Sequence, residues 1–134
     1  MNEVKETNEI PVQNKKILVI EDDKILSKVI SEELEKAGFE IKRALTGDDG
    51  FEMARSENPD LVLLDLMLPG IHGFDILAKI KKDSYTKKIP VIILTALGSD
   101  DDVKKGLRLG ASDYIVKSKH AISEIIDTVK NFFK

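Results

Sequence analysis

The chain has 134 residues and a formal net charge of −3, with 42% hydrophobic and 34% charged residues. These values are typical of one globular domain, and a weakly acidic chain offers no basic surface for a phosphate backbone, so we expect no direct nucleic-acid binding. The absence of cysteine excludes disulfides and thiolate metal sites, and no apolar run approaches the roughly 18 residues of a membrane span, so we expect a cytoplasmic protein without membrane insertion.

The N-terminal segment differs in composition from the rest of the chain. Residues 1–14 mix charged and polar side chains around Pro11. They lack the apolar central region of a signal peptide, and their composition is typical of a flexible leader. We therefore predict a leader over residues 1–14 and one folded domain over residues 15–134.

Short apolar runs are the main feature of the folded part. Continuous runs of four to eight apolar residues are typical of strands buried on both faces, as in parallel sheets. Four such runs and a weaker fifth candidate, placed second along the chain, predict strands at residues 17–20, 39–43, 61–64, 91–94 and 114–116.

Apolar residues at helical spacing follow each predicted strand. Thr46 and Ser99 are predicted N-caps, and Gly38 stands where a helix C-terminus would end. The five predicted helices cover about 26–37, 46–57, 73–80, 99–109 and 122–133. The fourth is poorly specified because Gly106 lies inside it, at a cost of roughly 1 kcal/mol relative to alanine, and such weak local stability is typical of an element that moves.

A strand followed by a helix, repeated five times, predicts an α/β fold with helices on both faces of a parallel sheet. The expected architecture is a flavodoxin-like three-layer sandwich with the strand order 2-1-3-4-5. In this order the first and third strands are neighbours, and a crevice opens between their carboxyl ends.

Polar side chains gather where the predicted strands end. Glu21 and Asp22 follow the first strand, Asp65 the third, Thr95 ends the fourth and Lys117 follows the fifth. Because the carboxyl ends of parallel strands share one edge of the sheet, we expect these side chains to form one site.

The acidic side chains of this site predict a divalent cation. Two carboxylates about 4 Å apart repel by roughly 4 kcal/mol at an effective dielectric near 20, and a cation relieves that repulsion. Oxygen ligands without histidine or cysteine favour Mg²⁺, with Mn²⁺ as a substitute. We predict Asp22 and Asp65 as ligands, Glu21 as a water-mediated partner, and the backbone carbonyl of Met67 as a further ligand.

Asp65 is also placed to act as a nucleophile. Its carboxylate could attack a phosphoryl donor while the Lys117 ammonium pairs with charge on the transferred group. The Thr95 hydroxyl could hydrogen-bond a phosphoryl oxygen only after transfer, and such a difference between two states is what a switch requires.

Each of these residues has a simpler explanation when taken alone. Asp22 could be a helix cap, Thr95 a turn residue and Lys117 a solvated surface lysine. His72 and His120 precede predicted helices and are read as capping or surface residues, not as bases or ligands. The arrangement at four strand ends is what favours the site over these separate explanations.

Four segments carry a resemblance to a known family: ILVIEDD (17–23), PDLVLLDLMLPGIHGFDIL (59–77), IPVIILTA (89–96) and GASDYIVK (110–117). They resemble the receiver domains of two-component response regulators, of the chemotaxis-Y-like type, over nearly all of residues 15–134. Several separated motifs in the same order make this a specific signal.

The resemblance implies phosphotransfer from a sensor histidine kinase or a phosphotransfer protein to Asp65, with Glu21 and Asp22 as the acidic pair. It implies that Thr95 and Tyr114 report the modification to the surface of the fourth helix, fifth strand and fifth helix. A downstream protein partner and phosphorylation-dependent homodimerisation are expected with it. Such a domain is not an enzyme acting on external substrates, since it catalyses only its own phosphorylation and slow dephosphorylation.

The sequence departs from the family pattern at three positions. Ser118 follows Lys117 where the family commonly has proline in a cis peptide. A non-proline cis bond costs roughly 2.5–4 kcal/mol, so this loop is either strained or differently routed. Met67 and Leu97, two residues beyond Asp65 and Thr95, are apolar and cannot align an attacking water, which predicts slow hydrolysis of the phospho-aspartate.

Three other functions compete with this interpretation. Flavin-dependent electron transfer shares the fold class, but acidic residues after the first strand would repel a flavin phosphate. A Mg²⁺-dependent phosphohydrolase would carry a second aspartate two residues after the first, where Met67 stands. A degenerate receiver that only binds partners would not need the intact acidic site and Lys117.

Overall fold

The computed structural model describes residues 14–134, so the predicted leader, apart from residue 14, lies outside the described residues. Over this range five strands alternate with five α-helices, as the sequence predicts. The strands are β1 (Lys16–Ile20), β2 (Glu40–Ala44), β3 (Leu61–Leu64), β4 (Val91–Thr95) and β5 (Asp113–Val116). The helices are α1 (Lys24–Lys36), α2 (Gly47–Glu57), α3 (Gly73–Lys82), α4 (Asp100–Arg108) and α5 (Ile122–Phe132).

All strand pairs are parallel, and the order across the sheet is β2-β1-β3-β4-β5. The predicted flavodoxin-like topology is therefore confirmed. In the pairing of β1 with β3, Ile20 lies opposite Leu64. The next residues, Glu21 and Asp65, consequently leave the sheet side by side at its carboxyl edge.

The sheet separates two hydrophobic clusters, which explains why its inner strands are apolar throughout. In β1, Leu18 and Ile20 belong to the cluster that includes side chains of α2 and α3. Ile17 and Val19 belong to the cluster that includes side chains of α1 and α5. Alternate residues of one strand thus pack against opposite helical layers, and the three-layer arrangement is confirmed.

Side-chain caps fix where the helices begin. Thr46 Oγ1 accepts from the Asp49 amide at 3.1 Å, and Ser99 Oγ accepts from the Asp102 amide at 3.1 Å, so both predicted caps are confirmed. His72 Nδ1 accepts from the amide of Phe74 at 3.0 Å at the start of α3. This contact confirms the capping role predicted for His72.

Strand β2 begins one residue later than predicted, at Glu40. Gly38 has a φ of 105° and ends α1, and the amide of Phe39 donates to the Leu34 carbonyl at 3.2 Å. The Phe39 amide is therefore part of the helix terminus and not of the sheet.

The segment after β5 resolves the two alternatives left open for Ser118. Residues 14–134 contain no cis peptide bond, and the chain turns into a short 3₁₀ helix, Lys117–Lys119. The loop is differently routed from a cis-proline loop. None of the helices within residues 14–134 is long and apolar enough to cross a membrane.

Candidate functional site

The site lies at the carboxyl edge of the sheet, where main-chain hydrogen bonds hold the first residues beyond β1 and β3. The Asp65 amide donates to the Ile20 carbonyl at 3.0 Å, and the Glu21 amide donates to the Ala44 carbonyl at 3.0 Å. Both acidic residues therefore start from backbone that is still part of the sheet. Such backbone is more rigid than a free loop and gives the side chains defined positions.

Three carboxylates meet at this edge. Glu21, Asp22 and Asp65 each place one carboxylate oxygen within 4.8 Å of the others. Glu21 and Asp65 are only 3% and 5% exposed, whereas Asp22 is exposed. Converging hard oxygen donors, two of them removed from solvent, fit a Mg²⁺ or Mn²⁺ ion and are costly to hold together without a cation.

Lys117 supplies one positive charge to the cluster. Its Nζ donates to Glu21 Oε1 at 2.7 Å and to Asp65 Oδ2 at 3.1 Å. The sequence predicts that Lys117 lies near Asp65, and the structure adds Glu21 as the second and shorter contact of Lys117. With three ionised carboxylates and one ammonium, the cluster keeps two negative charges, which a divalent cation would balance.

Burial and the neighbouring charges shift the ionisation of two of these groups. Burial raises the pKa of Glu21, and the nearby Asp65 raises it further, against the opposing effect of its hydrogen bond to Lys117. Burial opposes the charge on Lys117, but its contacts with Glu21 and Asp65 prevail and raise the pKa of Lys117. The ammonium form is thus the stable form of Lys117 in this site.

The second oxygen of each buried carboxylate is held by a main-chain amide. Asp65 Oδ1 accepts from the Met67 amide at 3.1 Å, and Glu21 Oε2 accepts from the Asp23 amide at 3.1 Å. Both carboxylates are therefore oriented before any ligand arrives. The Met67 side chain is 54% exposed, and the predicted role of its carbonyl as a metal ligand stays a prediction.

Thr95 and Tyr114 are joined through the segment between β4 and α4. The Leu97 amide donates to Thr95 Oγ1 at 3.4 Å, and the Tyr114 hydroxyl donates to the Leu97 carbonyl at 2.6 Å. Thr95 is fully buried, and burial together with the charges of Asp102 and Asp65 raises the pKa of Tyr114 to about 12. The two residues named from the sequence thus hold opposite sides of one peptide segment.

Sequence reasoning missed two participants in this arrangement. The Leu97 carbonyl is a main-chain group, and no side-chain pattern points to it. From the sequence, Gly106 is only a weak point of α4, whereas in the structure it lies directly against the Tyr114 ring. The available signal was the glycine itself, because an interior helical glycine often marks a close approach of another element.

Comparison with known proteins gives a consistent result. The family model described as the response regulator receiver domain matches residues 17–130. The regulator RpaA of Synechocystis is 42% identical over 102 residues, which are 76% of this chain and 42% of RpaA. PilH of Pseudomonas aeruginosa is 39% identical over 76% of this chain and 84% of PilH.

Solved structures agree with the sequence relatives. The BeF3-activated receiver domain of Klebsiella pneumoniae RstA superposes with a TM-score of 0.81 at 32% identity, covering 90% of this chain and 99% of that domain. The chain spans 42% to 51% of the length of several curated relatives, among them RpaA, which is named as DNA-binding. That activity is a property of RpaA, and the absence of nucleic-acid binding stays a prediction for this chain alone.

Proposed function

The chain belongs to the response regulator receiver domain family, and on that premise we propose that Asp65 accepts a phosphoryl group from a sensor histidine kinase or a phosphotransfer protein. In this reaction the N–P bond of a phosphohistidine breaks while an O–P bond forms to Asp65. The electron pair of the broken bond stays on the departing imidazole nitrogen. The product is an aspartyl phosphate, and the domain acts as a signalling switch and not as an enzyme on external substrates.

The surroundings of Asp65 suit this role. The Met67 amide and the Lys117 ammonium fix the orientation of its two oxygens. A carboxylate held in this way loses little conformational freedom on reaching the transition state. After transfer, the Lys117 ammonium is close enough to pair with the new phosphoryl charge.

The acidic cluster suits the Mg²⁺ ion that receiver domains generally bind. Asp22 and Asp65 are the proposed direct ligands, the Met67 carbonyl is a third, and Glu21 is the proposed water-mediated partner. When bound, Mg²⁺ or Mn²⁺ would neutralise charge on the transferring oxygens. The single charge of Lys117 is too small to neutralise the transferring oxygens as well, because its ammonium already pairs with the carboxylates of Glu21 and Asp65.

Thr95 and Tyr114 are the proposed switch. Once Asp65 is phosphorylated, the Thr95 hydroxyl can donate to a phosphoryl oxygen, and turning it towards that oxygen would weaken the bond of 3.4 Å that it accepts from the Leu97 amide. The segment beyond β4 would then rearrange, and Tyr114 is coupled to it through the Leu97 carbonyl. We propose that the surface of α4, β5 and α5 carries this change to a downstream protein or to a second copy of the chain.

The phospho-aspartate should be long-lived. Met67, two residues beyond Asp65, is exposed, and Leu97, two residues beyond Thr95, is partly buried against the hydrophobic core. Neither side chain offers a hydrogen bond that could orient an attacking water.

The observation that carries this proposal is the convergence of three carboxylates and one ammonium at the carboxyl ends of β1, β3 and β5. The test is intact mass spectrometry after incubation with acetyl phosphate and Mg²⁺. We expect a gain of one phosphoryl group in the wild type and none in Asp65→Asn. Asp75→Asn, an exposed acidic residue in α3, is the matched control and should react like the wild type. Equal labelling of Asp65→Asn would contradict the proposal.

A further inference from the structure

Gly106 lies in the last turn of α4, where the helix packs against β4 and β5. A Cβ atom at this position would lie 2.7 Å from Ile93 Cδ1 and 2.9 Å from Cδ2 of the Tyr114 ring. Both separations are shorter than real Cβ contacts. The space that any side chain at position 106 would need is therefore already filled by these two neighbours.

Of these two neighbours, the Tyr114 ring is the one that can be displaced. Ile93 is fully buried in β4, an inner strand of the sheet. Tyr114 is partly exposed on β5, which is an edge strand, so its ring can turn towards solvent by rotation about one bond. A side chain at position 106 would accordingly be accommodated by displacing the tyrosine.

Displacement of the ring would also remove its hydrogen bond. The Tyr114 hydroxyl donates to the Leu97 carbonyl at 2.6 Å while the ring is packed against Gly106 of α4. The same residue, Leu97, contacts Thr95 through its amide. Loss of the tyrosine contact would leave the segment between β4 and α4 held from one side only.

We propose that Gly106 is a positioning residue, whose missing side chain keeps Tyr114 beneath α4 and bound to the Leu97 carbonyl. Glycine inside a helix is less favourable than alanine, so Gly106 lowers the stability of α4. The same glycine leaves the space that the Tyr114 ring occupies. The effect on Tyr114 follows from packing alone. Its effect on phosphoryl binding rests on the proposed function of Thr95 and Tyr114.

The position of the ring can be measured directly. The chain has two tyrosines and no tryptophan, and Tyr85 is 73% exposed. In a Tyr85→Phe background, tyrosine emission therefore comes from Tyr114 alone. Acrylamide should quench this emission weakly when residue 106 is glycine and several-fold more strongly in Gly106→Ala. Unchanged quenching in a folded Gly106→Ala variant would overturn the proposal.

Thermal unfolding separates the tyrosine contact from a general defect of α4. Gly106→Ala should lower the melting temperature of the wild type. In a Tyr114→Ala background the same change should raise it by about 4 °C, because only the helix preference for alanine remains. The two backgrounds are measured separately. A higher melting temperature in the Tyr114→Ala background therefore supports the proposal even if Gly106→Ala alone does not fold. A loss of stability in both backgrounds would assign the clash to Ile93 and refute the proposal.

The link to the phosphoryl site is tested by calorimetric titration with beryllium fluoride and Mg²⁺. We expect Gly106→Ala to bind several-fold more weakly than the wild type, and to have no effect in the Tyr114→Ala background. Equal affinity of wild type and Gly106→Ala would overturn the link. If the wild type itself did not bind, the proposed function would fail, while the quenching and melting results would still decide the role of Gly106.

Discussion

Replacing Lys117 with methionine tests the electrostatics of the site most directly. The substitution keeps the length of the side chain and removes the ammonium that contacts Glu21 and Asp65 at 2.7 and 3.1 Å. Those carboxylates have side chains only 4% and 5% exposed, whereas Lys117 is 22% exposed. Two buried acidic groups would thus lose their shared cation without gaining access to water.

The expected cost follows from these distances and exposures. Each contact is worth roughly 5 kcal/mol at about 3 Å and an effective dielectric near 20, before desolvation is subtracted. Breaking a buried ion pair by removing one partner typically costs 3–5 kcal/mol. Because Lys117 reaches solvent, and because Glu21 can relieve repulsion by taking up a proton, we expect about 3 kcal/mol, or about 10 °C in melting temperature.

Magnesium should reverse part of this loss. Without the ammonium, a divalent cation no longer competes for Glu21 and Asp65, so Mg²⁺ should bind Lys117→Met about tenfold more tightly, equal to about 1.4 kcal/mol. Saturating Mg²⁺ should therefore raise the melting temperature of Lys117→Met more than that of the wild type. Phosphoryl uptake from acetyl phosphate should nevertheless fall, because Lys117 is then missing as a partner of the transferred group.

Calorimetric melting curves over a series of MgCl₂ concentrations measure these effects. Lys119→Met is the matched control, since Lys119 lies in the same 3₁₀ helix and is exposed. It should leave both the melting temperature and its response to Mg²⁺ unchanged. Equal Mg²⁺ increments for Lys117→Met and the wild type would refute the reasoning, because they would mean that the ammonium and the metal do not share ligands.

Three further predictions concern individual positions. Met67→Asn should shorten the phosphoryl lifetime about tenfold by orienting water, and an unchanged lifetime by intact mass would contradict the argument from Met67. Because the pKa of Tyr114 is raised from 10 to about 12, its contribution to stability is complete below pH 10 and is lost as pH rises to 12. Between pH 10 and pH 12 the free energy of unfolding, measured by urea titration, should fall less for Tyr114→Phe than for the wild type. An equal fall for both proteins would contradict this prediction. Gly73→Ala should unfold the domain or destabilise it by about 3 kcal/mol, because the added Cβ would clash with the backbone of Leu66; a free energy of unfolding in urea equal to that of the wild type would contradict this.

The acidic site could be predicted because topology alone brings its members together. Asp65 and Glu21 follow apolar runs that are typical of buried strands, and parallel strands share a carboxyl edge. Lys117 joins them for the same reason, despite lying 96 residues from Glu21. No knowledge of side-chain conformations was needed to place these three residues in one site.

Contacts that depend on side-chain conformation or on main-chain groups could not be predicted in this way. The bond from Tyr114 to the Leu97 carbonyl requires one particular orientation of the ring. Gly106 is a second example. Helix propensity indicates only that a glycine destabilises α4, and the packing of Gly106 against the Tyr114 ring is known only from the three-dimensional structure. The routing beyond Lys117 was equally open, because both strained and relaxed paths were compatible with Ser118.

The hydrogen bond between Tyr114 and Leu97 has a consequence for how this domain can diverge. The tyrosine binds the carbonyl of Leu97 and not its side chain, so the side chain at position 97 can be exchanged while the bond is kept. Substitutions there could retune the duration of a signal without altering how the signal is passed on. Under the proposed function, the side chain of Leu97 would affect how long a signal lasts and its carbonyl would help to transmit the signal, so selection could act on each separately.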